Sequence, residues 1–113
     1  MLPRMPSDQD LADLDLAVAR AELARGGSDV RISDAGVPTI ERSDGRWEPF
    51  RPSTNWAHAG PIIERVGIDL VTGQSGRWIA NIGYTVSVIA ETPLVAAMRA
   101  YMASKAGPWT PSS

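Results

Sequence analysis

The stretch at residues 50–65, FRPSTNWAHAGPIIER, constrains the fold more than any other part of the chain. It joins two large aromatic residues, a hydroxyl pair, the only histidine and a Gly-Pro step within sixteen positions. A buried Trp or Phe removes roughly 150–250 Å² of surface from water, so two of them close together can nucleate a small core. We therefore expect Phe50, Pro52 and Trp56 to form the anchoring surface of the fold.

A helix is predicted at about residues 55–65. Ser53 and Thr54 precede it, and a hydroxyl group there can accept a hydrogen bond from a backbone N–H that the helix leaves unpaired. Apolar residues recur at spacings close to three and four, which predicts one apolar face. That face comprises Trp56, Ala59, Ile62, Ile63 and Val66. His58, Glu64 and Arg65 are expected to lie mostly off it.

Pro61 interrupts this helical pattern. A proline inside a helix removes one backbone hydrogen bond and clashes with the carbonyl group four residues earlier, here that of Ala57. The helix is therefore predicted either to kink at residues 57–61 or to break into two short turns, the second of which begins with Pro61. A kink frees a carbonyl group that can line a ligand pocket. The alternative, which we favour, is that the kink only fits the helix to a twisted sheet.

The composition excludes several classes of protein. A chain of 113 residues with 43% hydrophobic and 21% charged residues is typical of one globular domain. Its net charge is −2, and its single lysine, Lys105, belongs to no basic cluster, which disfavours nucleic-acid binding. There is no cysteine, so disulfides, thiol nucleophiles and thiolate zinc sites are excluded. With one histidine and no acidic calcium-loop pattern, we expect no metal and no cofactor.

No run of about twenty apolar residues is present, and the N-terminus does not resemble a signal peptide. These features predict a soluble protein of the cytoplasm without a membrane partner.

Two long helices are predicted, one on each side of the central stretch. In the first, Ser7 or Asp8 caps a helix that runs to Arg25 and ends at Gly26-Gly27. Its apolar stripe is Leu11, Leu14, Val18 and Ala21. In the second, Thr92 caps a helix that begins at Pro93 and ends at Gly107-Pro108. Its buried stripe is Leu94, Ala97, Met98, Tyr101 and Met102.

Short strands are predicted between the helices. Residues 28–41 alternate apolar and polar residues around a glycine-containing turn, and a second turn at 43–45 leads to Trp47. Residues 68–71 and 77–84 form a hairpin around the turn TGQSG. Trp78 and Tyr84 share one face of the second strand and are expected to pack on the helices. Residues 85–91 are either a continuation as strand or a loop.

These elements together predict an α+β fold, with a small, mainly antiparallel sheet on which two long helices and one shorter, kinked helix pack. We expect one domain over residues 1–113, with a loose N-terminal arm at 1–6 and a mobile tail at 108–113.

Three segments of the chain resemble the phage NinX-like family, small proteins encoded by tailed phages and prophages. They are LADLDLAVARAE, PSTNWAHAGPIIERVGI and TPLVAAMRAYMASKAG, in this order and spacing. The resemblance covers residues 11–107. In the family, Gln commonly stands where this chain has His58, an aromatic residue is usual near Leu16, and residues 26–47 have no counterpart that can be placed. The resemblance implies a phage or prophage origin, a location in the cytoplasm of the bacterial host, and a role accessory to phage growth. It implies no catalytic residues.

The best candidate for a small-molecule site is the start of the central helix, where backbone N–H groups can hold an anion or a polar group. The candidate residues are Arg51, Ser53, Thr54, Asn55, Trp56 and His58. The alternative, which we favour, is that these polar groups only cap their own helix. The glycines of TGQSG lack the pattern of a phosphate-binding loop and are expected to form a hairpin turn.

Two hypotheses for the function follow. The favoured one is a phage accessory protein that acts by binding an unidentified phage or host protein through one or two exposed aromatic residues. A homodimer is also possible on the general frequency of symmetric oligomers. The alternative is a small-ligand-binding protein or a minor enzyme, which would use His58 near Ser53 or a carboxylate as an acid or base.

Overall fold

The computed structural model describes residues 6–26 and 29–106. Within these ranges, three α-helices and six strands follow one another as α1 (Asp8–Arg25), β1 (Val30–Ile32), β2 (Pro38–Glu41), β3 (Trp47–Pro49), α2 (Trp56–Val66), β4 (Ile68–Thr72), β5 (Trp78–Ile82), β6 (Val86–Ala90) and α3 (Pro93–Ala106), with a short 3-10 helix at Gln74–Gly76 between β4 and β5. The predicted α+β class is confirmed. The strands form two antiparallel sheets of three strands each, in the orders β1-β2-β3 and β4-β5-β6.

Helix α1 begins and ends where its capping residues predict. The Ser7 hydroxyl accepts a hydrogen bond from the Asp10 backbone N–H at 3.1 Å, and the Ser7 N–H donates to the Asp10 carboxylate at 3.3 Å. Such a reciprocal cap stabilises a helix by about 1 kcal/mol. The helix ends at Gly26, whose φ of 76° is costly for any residue with a Cβ atom.

Helix α3 is the centre of the packing. Thr92 caps it, since its hydroxyl accepts a hydrogen bond from the Val95 N–H at 3.2 Å, and Pro93 is the first helical residue, as predicted. From Leu94 to Tyr101 all residues but Arg99 are buried. The reason is that α3 contacts all three strands of the second sheet as well as α1 and α2.

The first sheet packs against α1. Val30 lies opposite Ile40, and Ile40 opposite Glu48, so these three residues share one face of the sheet. Helix α1 contacts β1 and β2. Phe50 follows β3 and is fully buried, which stabilises the fold by roughly 1.5–3 kcal/mol. The short strands predicted within residues 28–41 are confirmed, as is the turn that leads to Trp47.

The second sheet covers α3 with one face and leaves the other open. Residues 85–91, for which a strand or a loop was possible, contribute the third strand, β6. Its register with β5 pairs Ile79 with Ile89, and Ile79 also lies opposite Val71 on β4. These three aliphatic residues therefore form a row across the outer face, where Val71 and Ile89 are exposed.

The sequence prediction for Tyr84 is wrong. Strand β5 ends at Ile82, and residues 83–85 form the turn to β6, so Tyr84 is fully exposed and does not pack on a helix. The alternation that predicted its burial does not continue through the turn. Trp78, on the strand itself, does pack against the core.

Three expectations for the central helix also need correction. Asn55 caps it, with its side-chain oxygen accepting from the Ala57 N–H at 2.9 Å, instead of the Ser53 or Thr54 hydroxyl. Trp56 is 56% exposed and therefore lies off the core. His58 is buried instead of lying on the polar side. The helix does not break into two turns, because α2 continues through Pro61; the kink itself stays a prediction.

Within the described ranges, no helix combines the length and the apolar character that crossing a membrane requires. The predicted arm at 1–6, apart from Pro6, and the predicted tail at 108–113 lie outside the described residues. So do Gly27 and the predicted end of α3 at Gly107-Pro108.

Candidate functional site

The loop that connects β3 to α2 brings three of the six predicted site residues, Arg51, Ser53 and Thr54, against α1. Ser53 is buried, and its backbone N–H donates a hydrogen bond to the Asp15 carboxylate at 2.9 Å. Arg51 and Thr54, on the same loop, are exposed. The loop is therefore fixed to α1 by a contact between residues far apart in sequence, one that the sequence analysis did not anticipate.

His58 is held by hydrogen bonds at both ring nitrogens. Its Nδ1 atom accepts from the Arg51 backbone N–H at 3.0 Å, and its Nε2 atom lies 2.5 Å from the Glu48 carboxylate. Because Nδ1 accepts, the ring proton belongs on Nε2, from which it is donated to Glu48. The ring also lies 5.7 Å from that of Phe50. His58 is thus a buried side chain with a hydrogen-bond partner at each ring nitrogen.

Two adjoining cavities lie between α1 and this loop. The first, of about 290 Å³, is bounded by α1, the turn before β2 and the end of β3, and much of its wall is apolar. The second, of about 410 Å³, lies between the first two turns of α1 and the loop. Both are lined by Ala12, Asp15 and Arg51, which form their common wall. Of the six predicted site residues, Arg51 and Thr54 line these cavities; Ser53, Asn55, Trp56 and His58 do not.

Asp15 lines both cavities and is only 6% exposed. Burial raises the pKa of Asp15 above its usual value, and the Ser53 N–H and the charge of Arg51 offset that effect only in part. The reason is that a carboxylate loses favourable hydration when it is removed from water.

A second buried carboxylate on the same helix, Glu22, has a much fuller set of partners. Arg65 binds it through two hydrogen bonds, of 3.0 and 2.7 Å, and the Tyr101 hydroxyl donates to it at 2.6 Å. Arg25 adds an ion pair at 3.4 Å. We call Glu22, Arg25, Arg65 and Tyr101 the Glu22 cluster; it joins all three helices.

The partners of Glu22 determine its ionisation. Burial alone would raise the pKa of Glu22, but the hydrogen bonds from Arg65 and Tyr101 and the charges of both arginines hold it below its usual value. The same burial, together with the hydrogen bond to the Glu22 carboxylate, raises the pKa of Tyr101 to about 12. Glu22 is therefore ionised and Tyr101 protonated at neutral pH.

The chain matches the family described as "Bacteriophage P22, NinX" over residues 7–105. It belongs to this family. The match includes α1, the β3–α2 loop and α3, and with them both buried carboxylates. A comparison with curated proteins gives no match.

Sequence reasoning missed the polar residues that organise this NinX-family fold. Asp15 and Glu22 were left off the buried stripe of α1 because charged residues usually face solvent. Their spacing did carry a signal: Asp15 stands four residues after Leu11, and Glu22 four residues after Val18, so both lie on the apolar face. Glu48 was missed for the same reason, since it shares a strand face with Ile40.

Proposed function

We propose that this NinX-family chain is a phage or prophage accessory protein that acts by binding a protein partner, supplied by the phage or by its host. The observation that carries the proposal is the exposure of Trp56 at the first turn of α2. The core side of this helix is filled by Ala59 and Ile62, both buried, while the Trp56 side chain remains 56% exposed.

An exposed tryptophan fixed on a helix supports a binding role for two reasons. Its large rigid ring can bury much apolar area on contact with a partner at little cost in conformational entropy, and Trp is enriched at interface hot spots. Trp47 offers a second such surface: it is 47% exposed on the outer face of the first sheet, with the Arg31 guanidinium 5.9 Å from its ring centre.

The geometry of His58 favours binding over catalysis. A general base needs a free nitrogen atom within hydrogen-bond reach of the substrate. Both nitrogens of His58 are engaged within the protein, the ring is buried, and it lines neither cavity beside α1. Glu48 supplies the carboxylate that an acid–base pair would need, but its contact with His58 instead fastens the β3–α2 loop.

Affinity capture from phage-infected host lysate tests the proposal. The wild-type chain is expected to retain one phage or host protein in near-stoichiometric amount, and Trp56→Ala to lose it, because the substitution removes the aromatic anchor without touching the core. Tyr84→Ala is the matched control, since Tyr84 is an exposed aromatic residue in the turn between β5 and β6 of the second sheet.

Capture that survives Trp56→Ala would contradict the assigned surface, and a lysate from which the wild-type chain retains nothing would contradict partner binding itself. A second copy of the chain is the remaining possibility for a partner. Light scattering over a concentration series identifies it, because a homodimer dissociates on dilution whereas a monomer keeps its mass.

A further inference from the structure

We infer that the cavity between α1 and the β3–α2 loop binds a basic side chain, arginine or lysine, of the protein partner, with Asp15 as its counter-ion. The inference rests on the proposed function and specifies the chemistry of its contact. It is carried by the shape of the cavity, the charges around it and the incomplete set of partners of Asp15.

The shape suits one long side chain. At about 290 Å³, the first cavity is just below the range of roughly 300–1,000 Å³ that small-molecule pockets occupy. Leu16, Val37 and Phe50 contribute to its apolar wall, and Asp15 adds a carboxylate to the lining. Arginine and lysine have this same distribution of chemistry, an apolar stem of several methylene groups that ends in a charged donor.

The charges around the two cavities favour a cation. Three acidic residues line them, Asp8, Asp13 and Asp15, against one basic residue, Arg51. A metal ion is a poorer candidate than an organic cation, because no group of three or more His, Asp or Glu side chains within residues 6–26 and 29–106 could hold one. A guanidinium or ammonium group requires only one well-placed carboxylate and hydrogen-bond acceptors around it.

Asp15 has fewer hydrogen-bond and ion-pair partners than Glu22. Glu22 receives hydrogen bonds from two side chains and an ion pair from a third. Asp15 is buried to a similar degree and receives one backbone hydrogen bond, from Ser53. A buried carboxylate at a cavity wall that has a nearby positive charge but no direct ion pair gains from a charged donor that enters the cavity, because such a donor offsets the lost hydration.

Arg51 allows a second test, because removal of its charge is expected to change the affinity for a cation in the opposite direction to removal of the Asp15 charge. It lines both cavities, is exposed, and forms no ion pair with the residues that the structure describes. Its charge opposes the entry of another cation, so its removal is expected to tighten binding, whereas removal of the Asp15 charge is expected to weaken it. A site that does not bind a cation would not respond in these opposite directions.

The test is a titration of the full chain with N-acetyl-arginine methylamide, followed through the backbone amide signals in NMR spectra. We expect saturable shifts at residues that line the first cavity, with Ala12, Asp15, Leu16 and Val37 as reporters, and a dissociation constant in the millimolar range. Asp15→Asn is expected to weaken binding about tenfold, and Arg51→Ala to tighten it about threefold. The matched controls are Asp69→Asn, on the outer face of the second sheet, and the uncharged citrulline analogue as ligand.

An absence of saturable shifts at the cavity would overturn the inference, as would equal binding of the citrulline analogue or an unchanged affinity of Asp15→Asn. The Asn variant can keep the hydrogen bond from Ser53, and its melting temperature verifies that it is folded. Failure here leaves the proposed function standing if lysate capture still depends on Trp56, so the two results are distinguishable.

Discussion

Asp15 and Glu22 lie on the same face of α1, seven residues apart, and both are almost fully buried. Their surroundings nevertheless move their pKa values in opposite directions, up for Asp15 and down for Glu22. Burial is common to both, so the difference comes from their partners. Glu22 lies where three helices meet and is paired with cations and a hydroxyl group, whereas Asp15 lies beside a cavity and has one backbone donor. One carboxylate therefore holds the helices together, and the other is available to a ligand.

The largest effect is expected when the Glu22 cluster is broken. Arg65→Met removes both guanidinium hydrogen bonds and leaves a buried carboxylate with Tyr101 and Arg25 alone. Removal of one member of a buried pair typically costs about 3–5 kcal/mol, and the partial exposure of Arg65 places the expected loss at about 3 kcal/mol. Urea unfolding measures it, with Arg20→Met, an exposed position on α1, as the control. A loss below about 1 kcal/mol would show that the cluster contributes little more than an exposed pair.

His58 tests whether the region around Asp15 is fixed by hydrogen bonding alone. His58→Ala removes the acceptor of the Arg51 N–H and the donor to Glu48, so we expect a loss of about 2–3 kcal/mol. His58→Gln offers one acceptor and one donor on the same side chain and is expected to stay within about 1 kcal/mol of wild type. Urea unfolding compares the two variants. If Gln is as damaging as Ala, the aromatic contact with Phe50 matters more than the hydrogen bonds.

The smallest expected effect is on the pH dependence of folding stability, and it compares Asp15 and Glu22 most directly. The folded-state pKa of Glu22 is lowered, so its contribution to stability is present above its unfolded pKa and is lost as the pH falls through the folded value. The folded-state pKa of Asp15 is raised, so its contribution is present below the unfolded pKa and is lost as the pH rises through the folded value.

Unfolding free energies of Asp15→Asn and Glu22→Gln, measured against wild type between about pH 3 and pH 7, test these signs. At the upper end, Asp15→Asn is expected to be neutral or to stabilise by up to about 1 kcal/mol, while Glu22→Gln destabilises. On acidification the difference from wild type is expected to shrink for both variants. A destabilised Asp15→Asn at neutral pH would mean that the Asp15 charge is already well paired in the free protein.

Local chemistry was sufficient to predict the long helices. Helix α1 begins after Ser7 and ends at Gly26, and Thr92-Pro93 begins α3. Capping groups act on neighbouring backbone atoms, so these boundaries can be recognised within a few residues of sequence. The α+β class and the resemblance to the phage NinX-like family were also correct. The division of the strands between two sheets depends on which helix each hairpin packs against, and no short-range pattern indicates that.

The site was harder to predict because it is built from residues far apart in sequence. Of the predicted residues, the structure places Arg51 and Thr54 at the cavities, while their counterpart, Asp15, is contributed by α1, 36 positions before Arg51. Trp56 was expected in the core on the basis of helical spacing, yet it is 56% exposed, whereas His58 and Ala59 in the same turn of α2 are buried. Spacing shows which residues share a face of a helix and does not show which part of that face the neighbouring elements cover.

The arrangement of the two sheets has a consequence for how the protein unfolds. Helix α1 packs on the first sheet and α3 on the second, and the two helices contact each other. The Glu22 cluster therefore lies at the junction between two half-structures, each with its own hairpins. Protonation of Glu22 in acid weakens this junction, so amide hydrogen exchange in β1–β3 and in β4–β6 should proceed at similar rates at neutral pH and at separate rates in acid.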